Sequence, residues 1–103
     1  MKARIVFKGL GYSETYIIKD EISSFLSPTG ARKINTAEFF GKLNNIIQDW
    51  PFELEEPSIQ DATTCVIMIK DDKERVYMFN GKYPENYYEL INLLRNYENG
   101  SIN

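Results

Sequence analysis

Two runs near the middle of the chain, 62–70 and 75–80, constrain the fold more than any other segments. The first, Ala62-Thr63-Thr64-Cys65-Val66-Ile67-Met68-Ile69-Lys70, is dense in β-branched and apolar side chains, which suit a pleated surface. Nothing charged interrupts it before Lys70, so it reads as a strand covered on both faces. The second alternates, with Val76 and Met78 on one side and Arg75, Tyr77 and Phe79 on the other, the period of two that a strand imposes. Asp71-Asp72-Lys73-Glu74 between them is a polar turn, so the two runs form a hairpin, and Asn80-Gly81 closes the second strand with turn chemistry. An isolated hairpin is marginal in water, so the rest of the chain must cover it.

The cover is legible. Ala3, Ile5 and Phe7 alternate with Arg4, Val6 and Lys8, Gly9-Leu10-Gly11 breaks the run, and 13–19 resumes with Tyr16 and Ile18 opposite Thr15 and Ile17. This is a second hairpin. Asn35 followed three residues later by Glu38 has capping-box spacing. Phe39, Phe40, Leu43, Ile46, Ile47 and Trp50 then form one apolar stripe at helical period, ended by Pro51. Gly41 lies inside this helix, where it suggests a close approach by another element. Pro84 fits a helix's first position, and Tyr87, Leu90, Ile91, Leu94 and Tyr97 make the second stripe before the Asn99-Gly100 stop. Residues 20–34, rich in Ser, Pro, Thr and Gly, read as an irregular connection. The expected architecture is α+β: a single domain over 1–103, with a four-stranded antiparallel sheet in ββαββα order and helices near 36–50 and 84–97 packed on one face. Its expected core includes Ile5, Phe7, Phe40, Leu43, Ile47, Ile67, Ile69, Leu90, Ile91 and Leu94.

Absences narrow the chemistry. The 103 residues contain no histidine and one cysteine. Ser-His and Cys-His dyads and the usual zinc sites therefore have no residues to use. Cys65 sits in a β-forming run and reads as a buried, inert thiol. Gly9-Leu10-Gly11 lacks the third glycine and the following helix of a dinucleotide site, and Asp71-Asp72 lacks the glycine and terminal Glu of a calcium loop. The expectation is a domain without catalysis, cofactor or metal. Its start returns to charge after three apolar residues, so no secretory leader is read, no apolar run is long enough to span a bilayer, and a cytoplasmic location is the default. The net charge of −3 gives no global attraction to nucleic acid or to an anionic membrane.

The most distinctive segment runs from Asp49 to Asp61. It holds five acidic residues and no basic one, with Trp50, Phe52, Leu54 and Ile59 interleaved. It is either a solvated crossover or an acidic surface that docks a basic partner. Phe52 and Leu54 alternate with Glu53 and Glu55, so an extended segment can anchor its apolar side and turn its acids outward. A carboxylate pair drawn from Glu53, Glu55, Glu56 and Asp61 would sit on a loop, a poor mount for catalytic geometry. The candidate partner-binding residues are thus Phe52, Glu53, Glu55, Glu56 and Asp61, joined by Tyr12 from the glycine turn. Two other readings stand beside this one. A nucleic-acid module would use the Arg4/Lys8 face with Tyr77 and Phe79 as stacking platforms, against which the net charge and the missing Lys/Arg-Gly-Phe/Tyr motif argue. A small-ligand domain would use a pocket between sheet and helices.

The layout resembles emfourin-type proteins, small bacterial inhibitors of thermolysin-like metalloproteases. The resemblance rests on Ile5-Val6-Phe7-Lys8-Gly9-Leu10-Gly11, on the helix bearing Glu38-Phe39-Phe40, on Val66-Ile67-Met68-Ile69-Lys70-Asp71-Asp72, and on Pro84 followed by Leu90-Ile91 and Leu94. It covers most of the chain in order. Where those proteins show a Ser-Gly-Gly turn this chain has Gly9-Leu10-Gly11, and residues 20–34 and 49–61 have no counterpart. The resemblance implies a stoichiometric inhibitor of a protease. An immunity-type protein that neutralises a toxin has the same profile.

Overall fold

The alternation read from the N-terminal residues becomes strand β1 (Lys2–Gly9), which pairs antiparallel with β2 (Tyr12–Lys19) on one side. Gly11 turns the chain between them at φ 80°, the value a type II turn needs at its third residue and one that favours glycine. The computed structural model describes residues 1–59 and 62–100. On its other side β1 pairs antiparallel with β6 (Thr64–Lys70), and β6 with β7 (Glu74–Asn80), so the two expected hairpins join edge to edge. Ala3, Ile5 and Phe7 lie in register with Ile69, Ile67 and Cys65, and all six are buried. The two helices, α1 (Thr36–Ile47) and α2 (Tyr87–Glu98), bury Phe39, Leu43 and Ile47 and Leu90 and Leu94 in the same core.

The sheet differs from the expected one. It has seven strands in the order β4-β3-β2-β1-β6-β7-β5 and is mixed, where a four-stranded antiparallel ββαββα sheet was expected. The α+β class and the two helices stand; the strand count and topology do not. Three short strands make the difference. After a single 3-10 turn (Asp20–Ile22), residues 20–34 continue as β3 (Ser24–Ser27) and β4 (Gly30–Lys33), a hairpin that extends the sheet beyond β2. Turn formers dominate this stretch because its two strands are four residues each. Phe25, fully buried against Tyr16, Phe39 and Tyr97, is what ties the hairpin to the core. At the opposite edge β5 (Glu53–Glu55) pairs parallel with β7.

Other expectations shift by smaller amounts. Asn35 Oδ1 accepts from Glu38 N at 3.1 Å, the first half of the capping box. The Glu38 carboxylate turns to Lys42 at 2.9 Å instead. Pro84 does not begin a helix; its carbonyl accepts from Tyr87 N in a turn that precedes α2. Ile91 is half-buried against the core that holds the other nine expected core residues. Gly41 has open space where a Cβ would stand, so no element approaches it. The covered-on-both-faces reading of 62–70 also fails. Cys65, Ile67 and Ile69 are buried beneath the helices, whereas Thr64, Val66 and Met68 are only half-buried on the other face.

Two substitutions check this packing. Leu43→Ala, at a fully buried position, should cost about 2–5 kcal/mol in chemical denaturation. Gly41→Ala should stabilise by about 1 kcal/mol, since an exposed helix-interior glycine loses backbone entropy with no packing to compensate.

Candidate functional site

Because both helices lie on one face of the sheet, the register fixes what the other face presents. One cross-strand row holds Leu26, Ile17, Arg4, Met68 and Val76, and the next holds Thr15, Val6, Val66, Met78 and Glu53. Val6, Ile17, Val66 and Met68 are half-buried by their neighbours in the sheet, while Leu26, Val76 and Met78 are 40%, 44% and 39% exposed. Among the described residues neither helix crosses this apolar band. Arg4 stands in its middle, exposed, with Ile17 and Met68 as cross-strand neighbours and no ion pair among the described residues. An exposed guanidinium offers a planar fork of donors for a bidentate contact. Lys2, Lys19 and Lys70 line up in the row beyond Arg4, beside the acidic turns that carry Asp20, Glu21, Asp71 and Asp72.

The acidic segment meets this face at its rim. Glu53 and Glu55 pair with Met78 and Asn80 and turn outward with them, while Leu54 pairs with Phe79 and packs on the core. The expected alternation therefore holds. The segment is nevertheless an edge strand and no free loop: Phe52 O accepts from Met78 N at 2.8 Å, and Glu56 N donates to Asn80 O at 2.9 Å. Phe52, 60% exposed, stacks on Tyr77 at 5.0 Å and 27°. Glu56 accepts from Ser58 Oγ at 2.5 Å, which holds its carboxyl below the usual range. Charges on so short an edge also discourage pairing with another chain. Asp61 lies outside the described residues. Tyr77 and Phe79 are buried beneath the helices, so the Arg4/Lys8 face carries no stacking platform from them.

Tyr12 does not join the acidic strand. It begins β2, four strands from β5, about 19 Å at ordinary strand spacing. It belongs instead to a cleft of about 290 Å³ between the first hairpin and α2, with Phe7, Tyr16, Thr63, Tyr83 and Tyr87 in its lining. A Cβ on Gly9 would stand 2.3 Å from the Tyr12 ring. Glycine there lets the ring fold over the strand, where its hydroxyl meets Thr63 Oγ1 at 2.7 Å. Tyr83 donates to the Thr63 carbonyl and stacks on Tyr87 at 4.7 Å and 24°. Behind the rings, Tyr16 donates to Glu98 at 3.2 Å, and Arg95 bridges Glu14 and Glu98 at 3.4 Å each. Burial pushes the Tyr16 hydroxyl up to about 12 against the opposing pull of Arg95, and it pushes the Cys65 thiol up to about 11.

No family model, curated protein or solved structure matches the chain. Among the described residues no helix is long and apolar enough to cross a membrane. The sequence singled out the acids and Tyr12 but passed over the apolar band. Its signal was present in Val66 and Met68, apolar residues on a second strand face that no described element covers.

The Tyr16 shift has a testable sign. Unfolded tyrosine ionises near pH 10 and folded Tyr16 near 12, so its contribution is intact below about pH 10 and is lost as pH rises toward 12. Denaturation midpoints should fall across that interval, and Tyr16→Phe should flatten the fall.

Proposed function

We propose that this domain is a non-catalytic protein-binding module that docks its partner on the open face of the sheet. The observation that carries the reading is Arg4: a cation without an ion pair among the described residues, centred in an apolar band that no part of the described chain covers. Interface energy concentrates in such arrangements, where an arginine meets its partner inside a ring of apolar contacts that exclude water. The partner surface is accordingly apolar, with a carboxylate placed to meet Arg4 and a basic group opposite the Glu53/Glu55 rim. Such a domain acts by occupying its partner, as a stoichiometric inhibitor of a protease or an immunity-type protein does. The likeness of its sequence layout to small protease inhibitors supports the same reading. A nucleic-acid partner is less well served, because the face offers no aromatic ring on which a base could stack.

The experiment is affinity capture from the source cell, then reconstitution with the captured protein and hydrogen exchange of the complex. Protection should fall on β1, β6 and β7. Arg4→Ala should weaken binding about 30-fold or more, as expected of a central interface arginine. Val76→Glu with Met78→Glu should abolish it, and Tyr88→Glu, on the outer surface of α2, should leave it unchanged. Circular dichroism should be the same for all three variants. Protection confined to the helices, unchanged affinity in Arg4→Ala, a captured nucleic acid, or burial of this face in a homodimer would each overturn the proposal.

A further inference from the structure

The cleft between the first hairpin and α2 lies on the helix-covered side of the sheet, so partner docking on the open face leaves it accessible. Five aromatic rings line it, those of Phe7, Tyr12, Tyr16, Tyr83 and Tyr87. Their orientations are fixed by contacts with one another and with Thr63, which also lines the cleft. Tyr12 and Tyr83 are both anchored on Thr63. Phe7 stands edge-on to Tyr16 at 6.1 Å and to Tyr87 at 6.4 Å, and Tyr83 stacks on Tyr87. The rings thus line a half-open space without collapsing into it. Its volume, about 290 Å³, is at the lower end for small-molecule pockets, roughly 300 Å³ and upward.

The electrostatics select the ligand's sign. Glu14 and Arg95 both line the cleft, and Glu98, 5% exposed in its side chain, accepts from Tyr16 just behind the rings and from Arg95. Two carboxylates share one guanidinium, so this end of the cleft carries a net negative charge. Aromatic rings present a negative π face, and tyrosine is among the better ones for holding a cation. An apolar-bodied cation is therefore favoured twice, by the rings and by the surplus carboxylate. A compact anion would approach a guanidinium whose Nη1 already faces both Glu14 and Glu98, and would be repelled by the two carboxylates. The space is also too apolar for a strongly hydrated metal ion, which wants several oxygen ligands.

We propose that this cleft binds a small organic cation of the alkylated-ammonium class, with its methyl or methylene groups against the rings of Tyr12, Tyr83 and Tyr87 and its charge toward Glu14. The test compares three probes of matched shape by amide chemical-shift titration of the whole chain: choline, its neutral carbon isostere 3,3-dimethylbutan-1-ol, and the anion 3,3-dimethylbutanoate. Choline should give saturable shifts at Tyr12, Thr63, Tyr83, Tyr87 and Ile91. The neutral isostere should bind at least tenfold more weakly, and the anion should leave these residues unmoved. Glu14→Gln and Tyr12→Leu, both at the rim and each expected to keep the fold, should weaken choline binding at least fivefold. Equal binding of alcohol and choline, stronger binding of the anion, shifts outside the cleft, or no saturable shift with choline would each overturn the assignment. None of these outcomes bears on partner docking at Arg4, and failure of docking leaves the cleft result intact.

Discussion

The antiparallel pairing of β1 with β6 is the contact on which the rest of this structure depends. It joins residues about sixty positions apart in the chain, a loop closure whose entropy must be met by what the pairing buries. What it buries is the set Ala3, Ile5 and Phe7 beside Ile69, Ile67 and Cys65, which forms the floor on which both helices rest. Without it the chain would be two separate hairpins, each with an apolar face and no stable form in water. With it, the flanking pieces have an existing sheet to extend, β3 and β4 beyond β2 and β5 beyond β7.

The same register decides the functional surfaces. Side chains alternate across a strand, so a one-residue slip would exchange Ile5 with Arg4 and turn the floor of the core to solvent. Burying Ile5 and Ile67 therefore places Arg4 and Met68 on the far face together. Two helices are enough to cover one side of a seven-stranded sheet, and the described residues supply no layer for the other side. Val66, Met68, Val76 and Met78 are apolar where a solvated face would ordinarily carry polar side chains. The tyrosine cleft arises differently, where the first hairpin and α2 meet around rings held apart by hydrogen bonds to Thr63.

Long periodic segments were legible from sequence and short ones were not. The stripes of α1 and α2 and the alternation of β1, β2 and β7 span several periods, so Tyr16 could be grouped with Ile18 and Tyr77 with Phe79 before any contact was known. That Tyr77 and Phe79 lie on the face opposite Arg4 was not legible. β3 and β4 are four residues each, and Phe25-Leu26 places two apolar residues side by side, too little for a period to emerge from. Their strand character comes from β2, which offers an edge at Ile17 and Ile18. Glu53-Leu54-Glu55 showed its alternation, but a three-residue run cannot reveal that β7 will pair with it in parallel. For the candidate site, Arg4 was legible as part of a polar strand face and Tyr12 as part of a turn. Neither could be matched with its true neighbours, because Arg4 borders Met68 and Tyr12 meets Thr63 only after distant segments pair.

By itself, then, the sequence determined the types of the long elements, which side chains share a side of each and the residue chemistry at hand, because local periodicity and composition need no knowledge of what lies opposite. The tertiary structure alone decided the number and order of strands, the bare apolar face around Arg4, and the gathering of Tyr12, Tyr16, Tyr83 and Tyr87 around one cleft. Each of those depends on which distant segments meet. Pairing is a property of two surfaces at once, and neither surface carries it alone.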